Sequence, residues 1–430
     1  MNDEKQALVP KLRFPEYVGQ RLRKALLKEV TAESGERVGD NFSTMQVMGV
    51  SKMEGIVPME GRLISSDISR YKIVRKNWFA YNPMRLNIGS IARWKGEQNI
   101  LVSPDYVVFK CLNGADLQID PEYLNHFRQS DVWKQFVTEG GDGSVRVRIY
   151  YRDLARLQLL LPGRDEQQKI ADCLSSLDAL IAAQADKLDA LKTHKKGLMQ
   201  QLFPREGETV PRLRFPEFLE AGEWKNKSIQ DLIDSRFITG HLDGNHGSLY
   251  PRAEEFSVDG IPYITANDFI DGTVNFGRCK HLPFERAKKF NKGVSKDGDV
   301  LFAHNATVGP VAKLNTSLSF VILSTTATYF RCDNSKLLND FLLFALGSPC
   351  FIKQYSRVMS QSTRNQVPIT AQRKFDLQMP PVFDEQQKIA SCLSSLDALI
   401  AAQTDKLDAL KTHKKGLMQQ LFPSPEAVGA

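Results

Sequence analysis

The forty residues 165–204, DEQQKIADCLSSLDALIAAQADKLDALKTHKKGLMQQLFP, decide the fold of this 430-residue chain because they occur twice. Residues 384–423 repeat the stretch with two changes, Asp172 to Ser391 and Ala185 to Thr404. Self-similarity over such a length indicates an internal duplication. The sequence therefore predicts two constant segments, each of which follows a longer variable region.

The variable regions, residues 19–160 and 220–380, also share a common origin. A short repeat precedes them, VPKLRFPEY at 9–17 and VPRLRFPEF at 210–218. Three weaker anchors recur in order at an offset of 219–221: Asn87–Arg93 with Thr307–Lys313, Ser103–Cys111 with Ser324–Cys332, and Lys134–Phe136 with Lys353–Tyr355. We therefore expect two diverged copies of one domain.

Each constant segment has the pattern of a coiled-coil helix. Apolar residues recur with alternating spacings of four and three, which is a heptad seam. Gln184 and Lys195 fill the gaps in the first copy, and Gln403 and Lys414 fill them in the second. The apolar seam positions are Ile170, Leu174, Leu177, Ile181, Leu188, Leu191, Leu198 and Leu202, then Ile389, Leu393, Leu396, Ile400, Leu407, Leu410, Leu417 and Leu421.

The two seams need partners, because an isolated helix of this kind is unstable in water. The nearest partner is the other copy, and connectivity alone leaves parallel and antiparallel pairing open. An antiparallel pair centred midway places Gln184 opposite Leu407. It also places Gln403 opposite Leu188, so that each amide meets an aliphatic side chain. We expect this antiparallel arrangement, in which the polar seam position fixes the register.

The outward-facing positions of the two constant segments match as closely as the seams do. They include Gln167, Gln168, Lys169, Lys187, Asp189, Lys192 and His194 with their counterparts in the second copy. Packing constrains only the seam, so the match of the outer faces has another cause. Recent duplication explains it, and so does a docking surface that is presented twice.

Both variable regions mix short strand-like runs with Gly- and Asn-rich turns and one or two helices. The runs include Val107–Phe109, Val145–Ile149, Val300–Phe302 and Phe320–Leu323. Each region then enters its constant helix through an apolar strand. We expect compact α+β domains.

Several clusters carry the side chains that contact bases and phosphates. The candidates in the first domain are Asn82, Arg85, Arg93, Lys95, Arg146 and Arg148. Those in the second domain are His304, Asn305, Ser362, Arg364, Asn365 and Gln366. Arg85 and Asn305 are equivalent by the offset of 220, yet differ in type. Domains that read different bases would differ in this way, and so would domains that drift neutrally.

The composition fits a nucleic-acid partner without requiring one, since the net charge is +7 with 25% charged residues. The six cysteines lie at least 18 positions apart, which excludes a CxxC motif and favours reduced thiols in a cytoplasm. No apolar stretch approaches the roughly 18 residues that span a bilayer. We expect a soluble, cytoplasmic protein.

Motifs for catalysis are missing from the sequence. It contains neither a GxxxxGK[ST] phosphate loop nor a GxGxxG motif after a strand. The seven histidines have no HExxH or other ligand spacing, so no metal site is expected. We therefore expect a chain that is not itself an enzyme.

The order variable–constant–variable–constant, with EQQKIA opening each helix and GLMQQLFP closing it, resembles the DNA-specificity subunits of type I restriction-modification systems. The segments Gly298–Gly309 and Ser103–Phe109 also resemble the target-recognition domains of that family. The resemblance covers essentially the whole chain and is most specific in the constant segments. It implies a non-catalytic subunit, in which each domain reads one half of an asymmetric bipartite site in double-stranded DNA.

The resemblance also implies partners and a cofactor. In that family the helix pair sets the gap between the half-sites and binds two methyltransferase subunits. Those subunits use S-adenosylmethionine, so no cofactor is expected on this chain. Motor-nuclease (restriction) subunits complete the restriction enzyme.

We therefore expect an α+β fold in which two globular, mixed α/β target-recognition domains are separated by two long helices in an antiparallel coiled coil. The expected boundaries are 1–160 and 208–380 for the domains, 161–207 for the first helix, and 381–430 for the second helix and tail. The alternative is a coiled-coil adaptor whose variable domains bind proteins. Tight, salt-sensitive binding to duplex DNA separates the two hypotheses.

Overall fold

The computed structural model describes residues 10–38, 46–60, 67–114, 117–139, 148–361 and 364–423. The chain forms two compact units. The first unit comprises Met1–Ala185 and Asp405–Ala430, and the second comprises Asp186–Thr404. Each unit therefore holds one variable domain together with part of each long helix.

The first variable domain is built from short strands and short helices that lead into a long helix. Its strands are β1 (Arg23–Leu26), β2 (Thr31–Glu33), β3 (Met48–Ser51), β4 (Gly55–Pro58), β5 (Lys72–Val74), β6 (Phe79–Tyr81), β7 (Ile91–Arg93), β8 (Ile100–Val102), β9 (Val107–Cys111) and β10 (Gln158–Leu161). Its helices are α1 (Leu27–Val30), α2 (Pro121–Phe127), α3 (Asp131–Glu139) and α4 (Tyr151–Leu154), and the long helix α5 (Arg164–Leu202) follows.

The second variable domain follows the same plan with more strands. These are β11 (Lys225–Ser228), β12 (Ile238–Asp243), β13 (Ile261–Ile264), β14 (Phe269–Ile270), β15 (Thr273–Val274), β16 (Lys280–Leu282), β17 (Val294–Ser295), β18 (Val300–Asn305), β19 (Thr307–Lys313), β20 (Val321–Leu323), β21 (Ala327–Cys332) and β22 (Asp376–Met379). The helices are α6 (Ile229–Asp234), α7 (Phe284–Ala287), α8 (Asn339–Leu346), α9 (Pro349–Ser360), α10 (Ile369–Gln372) and the long α11 (Phe383–Leu421).

The two domains share a central antiparallel sheet. Its strand order is β2-β9-β6-β7 in the first unit. The second unit has the equivalent order β12-β21-β18-β19 and extends it with β15 and β14. In each domain the strand that enters the long helix pairs with the first strand, β10 with β1 and β22 with β11. This shared topology agrees with the expected duplication.

Most of the strand-like runs read from the sequence are strands. Val107–Phe109 lies in β9, Val300–Phe302 lies in β18, and Val321–Leu323 is β20. The run Val145–Ile149 falls largely outside the described residues, and its last two residues are not in a strand.

None of the helices among the described residues has the length and apolar character that a membrane-spanning helix needs.

The core of each unit joins the sheet to both long helices. In the first unit Phe79, Tyr81 and Phe109 are fully buried and share one cluster with residues of α5 and of the end of α11. The long-helix members of this cluster are Ile170, Ala171, Leu174, Met418, Leu421 and, just beyond α11, Phe422. The second unit repeats the arrangement with Leu202, Phe203, Ile389, Ala390 and Leu393. Burial of these side chains therefore attaches each domain to the helices.

The long helices run antiparallel within each unit. In the first unit the start of α5 shares its core with the end of α11, and further along α5 Asp178 accepts a 2.6 Å hydrogen bond from Lys414. In the second unit Lys195 lies 2.5 Å from Asp397, the equivalent pair with the roles of the helices exchanged. The antiparallel pairing expected from the seam is thus confirmed. Gln184 is buried in it, as a register-setting seam residue should be.

A buried ion pair attaches the short LRFPE repeat to the start of each long helix. In the second unit Arg214 donates two hydrogen bonds of 2.8 Å to the Glu385 carboxylate. The first unit has the same bidentate pair, Arg13 with Glu166, and one of its hydrogen bonds is 2.7 Å. All four side chains are at most 5% exposed. We call these two pairs the arginine clamps, and they explain why the two repeats occur together.

One residue expected on the outer face of the constant helix is buried. Gln167 is 1% exposed, because the variable domain covers the first turn of α5. Its side chain accepts a 2.8 Å hydrogen bond from the Asp120 backbone and donates to the Gln118 and Pro162 carbonyls. In the second unit Gln386 likewise accepts from the Leu338 backbone N–H and donates to the Lys336 carbonyl. The match of these two glutamines therefore has a structural cause within each unit.

Candidate nucleic-acid interface

The connection between β6 and β7, residues 82–90, brings several first-domain candidates together. Asn82 and Ser90 close it with a 3.3 Å backbone hydrogen bond, and the Arg85 N–H donates to the Asn82 carbonyl at 2.9 Å. The Ile149 N–H donates to the Pro83 carbonyl at 3.0 Å, which places Arg148 beside this connection. Arg85 and Arg148 are exposed, and Asn82 is half-buried.

The second domain builds a shorter connection at the same place in its sheet. Ala306 alone joins β18 to β19, and its N–H donates to the Asn365 carbonyl at 2.9 Å. Asn305 forms a β-bridge with Gln366, so both groups of candidates meet at this turn. Arg364 and Asn365 are exposed, whereas Asn305 and Gln366 are half-buried.

We call these two places the recognition tips. The first consists of residues 82–90 with 148–149, and the second of residues 304–307 with 364–367. In each tip the segment that precedes a short helix, α4 or α10, binds the backbone of the hairpin connection. Guanidinium and amide side chains on such a braced edge have the donors and acceptors that read base edges in the major groove.

Two first-domain candidates lie at the other end of the hairpin. Arg93 pairs with Phe79 across β6 and β7, and its guanidinium donates to Asn77 and to the Glu122 carboxylate. Its side chain is only 8% exposed. Lys95 is 68% exposed and lies 3.7 Å from the same carboxylate. The structure therefore groups these two residues with α2 and separates them from the recognition tip.

One second-domain candidate is inside its sheet. His304 is 2% exposed, and its Nδ1 lies 3.2 Å from the Val367 carbonyl. Burial lowers the pKa of His304, so the ring is neutral at pH 7. Its backbone carbonyl accepts a 2.8 Å hydrogen bond from the Val367 N–H, which joins the two segments of the recognition tip. Two further candidates, Arg146 and Ser362, fall outside the described residues.

Sequence reasoning missed the pairing that creates each recognition tip. It identified the hairpin residues and the residues before the short helix separately, roughly 60 positions apart in the chain, with nothing to join them. The backbone bonds from Ile149 to Pro83 and from Val367 to His304 join them. The available signal was that both groups recur at nearly the same offset in the two domains.

The described residues contain no group of three or more His, Cys, Asp or Glu side chains that could hold a metal ion. The polar side chains that the recognition tips expose are amides, guanidinium groups and the Thr307 hydroxyl. Such groups bind through hydrogen bonds and charge. The tips are therefore suited to binding and carry no arrangement for acid–base or metal chemistry.

Residues 221–412 match the family model described as the type I restriction modification DNA specificity domain. This segment contains the second variable domain and most of α11.

Two proteins of Methanocaldococcus jannaschii are similar in sequence. The type I restriction enzyme MjaVIII specificity subunit is 24% identical over 62% of this chain, and the chain spans only 61% of that relative's length. The putative type I restriction enzyme MjaX specificity subunit is 24% identical over 83% of this chain and 80% of the relative.

The fold is similar to a solved structure. The crystal structure of the type I restriction-modification system S subunit from M. genitalium aligns over 97% of this chain and 99% of its own chain. The TM-score is 0.57 and the sequence identity is 15%.

Proposed function

We propose that this chain, a member of the family of DNA-specificity subunits of type I restriction-modification systems, reads an asymmetric bipartite site in duplex DNA. The observation that carries this proposal is the pair of recognition tips. They occupy the same place in equivalent sheets, yet one presents Arg85 and Arg148 and the other presents Arg364 and Asn365. Different donor and acceptor sets read different bases. Each domain therefore reads one half of the site, and the halves differ.

The helix pair sets the gap between the half-sites. We place the functional boundaries at 1–160 and 208–380 for the two reading domains, with the constant helices and tail in 161–207 and 381–430. Both α5 and α11 are 39 residues long. A heptad added to both would lengthen the pair by roughly 10 Å, which corresponds to about three base pairs. The preferred gap should grow by that amount while both half-sites stay the same.

The constant helices also present a duplicated surface for partner subunits. Leu180 is 47% exposed, and its equivalent Leu399 is 42% exposed. Exposed alanines lie beside them, at 179 and 183 and at 398 and 402. Small residues around an exposed leucine suit the close packing of another helix. Two methyltransferase subunits would dock here, one on each copy, and bring S-adenosylmethionine with them.

The reaction then belongs to the complex and not to this chain. Its own residues bind and position the DNA, while the methyltransferase subunits modify it. Motor-nuclease subunits join the same complex to complete the restriction enzyme.

Methylome sequencing of cells that express this chain with its methyltransferase tests the proposal. We expect one methylated motif with two unlike halves and a fixed gap. Exchange of residues 220–375 for the matching region of a relative should change one half and leave the other unchanged. A change in both halves, or in neither, contradicts the division into two reading domains.

A protein-binding adaptor would behave differently in solution. Phosphate contacts release counterions, so binding to DNA weakens steeply as the salt concentration rises. An adaptor that binds proteins would not bind duplex DNA tightly in this salt-dependent way. Titration of duplex DNA at several salt concentrations therefore distinguishes the two functions.

A further inference from the structure

Each unit contains a cavity between its variable domain and the constant helices. In the first unit the cavity measures about 720 Å³ and lies between the β6–β7 connection, the start of α3 and the last turns of α11. In the second unit it measures about 360 Å³ and lies between β19, the end of α8 and the last turns of α5. The two cavities therefore occupy equivalent places.

The same lysines line both cavities. Lys411, Lys414 and Lys415 contribute to the first, and Lys192, Lys195 and Lys196 to the second. These are the three lysines of the repeated KTHKKG sequence, 219 positions apart. Variable-domain residues form the other walls, so each cavity combines a constant basic wall with a wall that differs between the units.

One lysine of each trio is held by a close ion pair and the other two are exposed, with Lys411 also 3.8 Å from the exposed Asp408 carboxylate. Lys414 is paired with Asp178, and Lys195 is paired with Asp397. The other members, Lys411 and Lys415 in the first unit and Lys192 and Lys196 in the second, are exposed. The held lysine keeps its neighbours at the cavity wall, because all three project from one turn of helix.

The charge of the walls is strongly positive in the first unit. Its further basic residues are Lys52, Arg128 and Lys134, and its acidic residue is Asp131. Asp131 lies 3.2 Å from Lys134, and Asp178 and Asp408 pair with Lys414 and Lys411. The positive charge that remains is that of Lys52, Arg128 and Lys415. The second cavity has its three lysines and Asp397. Both cavities therefore favour an anion, and the first favours it more.

The first cavity reaches the residues of the recognition tip. Leu86, Asn87, Ile88 and Gly89 line it, and they belong to the same connection as Asn82 and Arg85. In the second unit Gly309 and Val311 line the cavity a few residues after the Ala306 turn. A duplex held by either tip would thus pass close to the constant lysines.

We propose that both cavities hold backbone phosphates of the DNA beside the half-site that the neighbouring recognition tip reads. This proposal rests on the proposed function. Phosphates carry no sequence information, so one unchanged set of lysines can serve two unlike half-sites. The constant helices then contribute a sequence-independent part of the affinity, once in each unit.

An acidic segment of a partner protein is the other occupant to consider. The cavity walls include the variable domains, which differ between the two units. A partner that docks identically on both halves would use surfaces of the constant helices alone. Both halves of the duplex, in contrast, present the same phosphate chemistry, so the observations favour DNA.

Charge removal at the exposed lysines tests the proposal. The variants are Lys411→Gln with Lys415→Gln for the first cavity, and Lys192→Gln with Lys196→Gln for the second. The matched control is Lys187→Gln with Lys406→Gln, which removes two exposed lysines of the same helices outside both cavities. The full-length chain, assembled with its methyltransferase, is titrated with a fluorescent duplex that carries the methylated motif and with a scrambled duplex, at several KCl concentrations.

We expect each cavity pair to lower the slope of log affinity against log salt by about 2, since each lost phosphate contact lowers it by about 0.9. The affinity at about 0.15 M salt should fall on the order of tenfold for both duplexes, so their ratio stays constant. Lys→Arg variants should keep the slope.

Three other outcomes have distinct meanings. Slopes equal to that of the control overturn the phosphate sites. An unchanged slope with loss of the co-purified methyltransferase assigns the cavities to a protein partner and also overturns the proposal. A wild-type complex that does not bind duplex DNA in a salt-dependent way contradicts the proposed function itself.

Discussion

The two units have the same internal frame and different exposed edges. Both have the equivalent four strands in the same order and an arginine clamp on the start of a long helix. At the edge, residues 82–90 connect two strands in the first unit, whereas Ala306 alone does so in the second. The two units thus differ at this edge, and the second also extends its sheet with β15 and β14. The comparison teaches that two domains with the same attachment to the constant helices can present different recognition tips.

The arginine clamps should show the largest effects on stability. Arg214→Met leaves the Glu385 carboxylate buried without its cation, which should cost about 3–5 kcal/mol in the free energy of unfolding of the second unit. Arg13→Met should destabilise the first unit similarly. Urea unfolding of the full chain, with limited proteolysis to identify the unit that opens, measures both.

Two further variants act as controls for the clamps. Arg212 pairs with Glu208 in an exposed position, so Arg212→Met should cost less than about 1 kcal/mol. The double variant Arg214→Met with Glu385→Met removes both buried charges and should recover much of the lost stability. An Arg214→Met variant as stable as Arg212→Met would show that the clamp does not hold the domain.

A buried histidine should make the first unit sensitive to acid. His126 lies 2.9 Å from the Ser175 hydroxyl, and burial, followed by the charge of Lys414, lowers the pKa of His126 to about 4. Asp178 and Glu122 partly oppose this shift. The unfolded chain has the ordinary pKa of about 6.5 and therefore binds more protons below that pH. Stability from this residue is complete above pH 6.5 and falls as the pH drops towards 4, by on the order of 3 kcal/mol.

The substitution His126→Gln should remove this part of the pH dependence. Proteolysis of the first unit between pH 7 and pH 4 should then change less for the variant than for the wild type. His241, whose pKa burial also lowers to about 4, provides the matched control in the second unit. If His241→Gln protects the first unit as well as His126→Gln does, the acid sensitivity is not local.

Substitutions in the recognition tips should each change the base preference of one half-site. Their energetic effect should be smaller than that of the clamp substitutions. Arg85→Ala should relax the preference for a base in the first half-site by about 1–3 kcal/mol, the usual value of one bidentate base contact. Asn365→Ala should do the same in the second half-site alone. Competition binding with libraries randomised in one half-site at a time measures both, with Lys187→Ala as a surface control.

The same experiment tests the candidates that lie away from the recognition tips. Arg93 is held by Glu122 and Asn77, so Arg93→Ala should reduce stability and leave the base preference unchanged. If Arg93→Ala relaxes a base and Arg85→Ala does not, the reading surface is on the other end of the hairpin.

Local periodicity explains how much of the fold the sequence predicts. The heptad seam needs only neighbours three and four positions apart, so both long helices follow from it. The places of Gln184 and Gln403 in the seam then favour antiparallel pairing. The clamp joins Arg13 to Glu166, 153 positions along the chain, and no local pattern indicates such a contact. The expected exposure of Gln167 is wrong for the same reason, because a distant part of the chain covers it.

The candidate interface, like the fold, could be predicted from the sequence only in part. Residue type alone indicated Arg85, Arg364 and Asn365, and these are exposed on the recognition tips. Residue type also indicated His304, which lies inside the sheet because its strand position faces the core. Whether a side chain faces solvent depends on long-range strand pairing, and the short strands of these domains do not reveal their register in the sequence.

The smallest effect should come from the backbone of the two connections. Ala306 has a φ of 63°, the left-handed region in which a Cβ costs about 1–2 kcal/mol. Glycine lacks that Cβ but loses more entropy on folding, about 0.5–1 kcal/mol, so Ala306→Gly should stabilise the second unit by about 0.5–1 kcal/mol.

The reciprocal change tests the first unit, where Gly89 has a φ of 91°. A Cβ there meets only the flexible Lys52 side chain at 3.6 Å, so Gly89→Ala should destabilise through its backbone alone, by about 1 kcal/mol. Both changes are measured by urea unfolding, and effects of the same sign in the two units would mean that contacts of the added or removed methyl group, and not backbone strain, govern these turns.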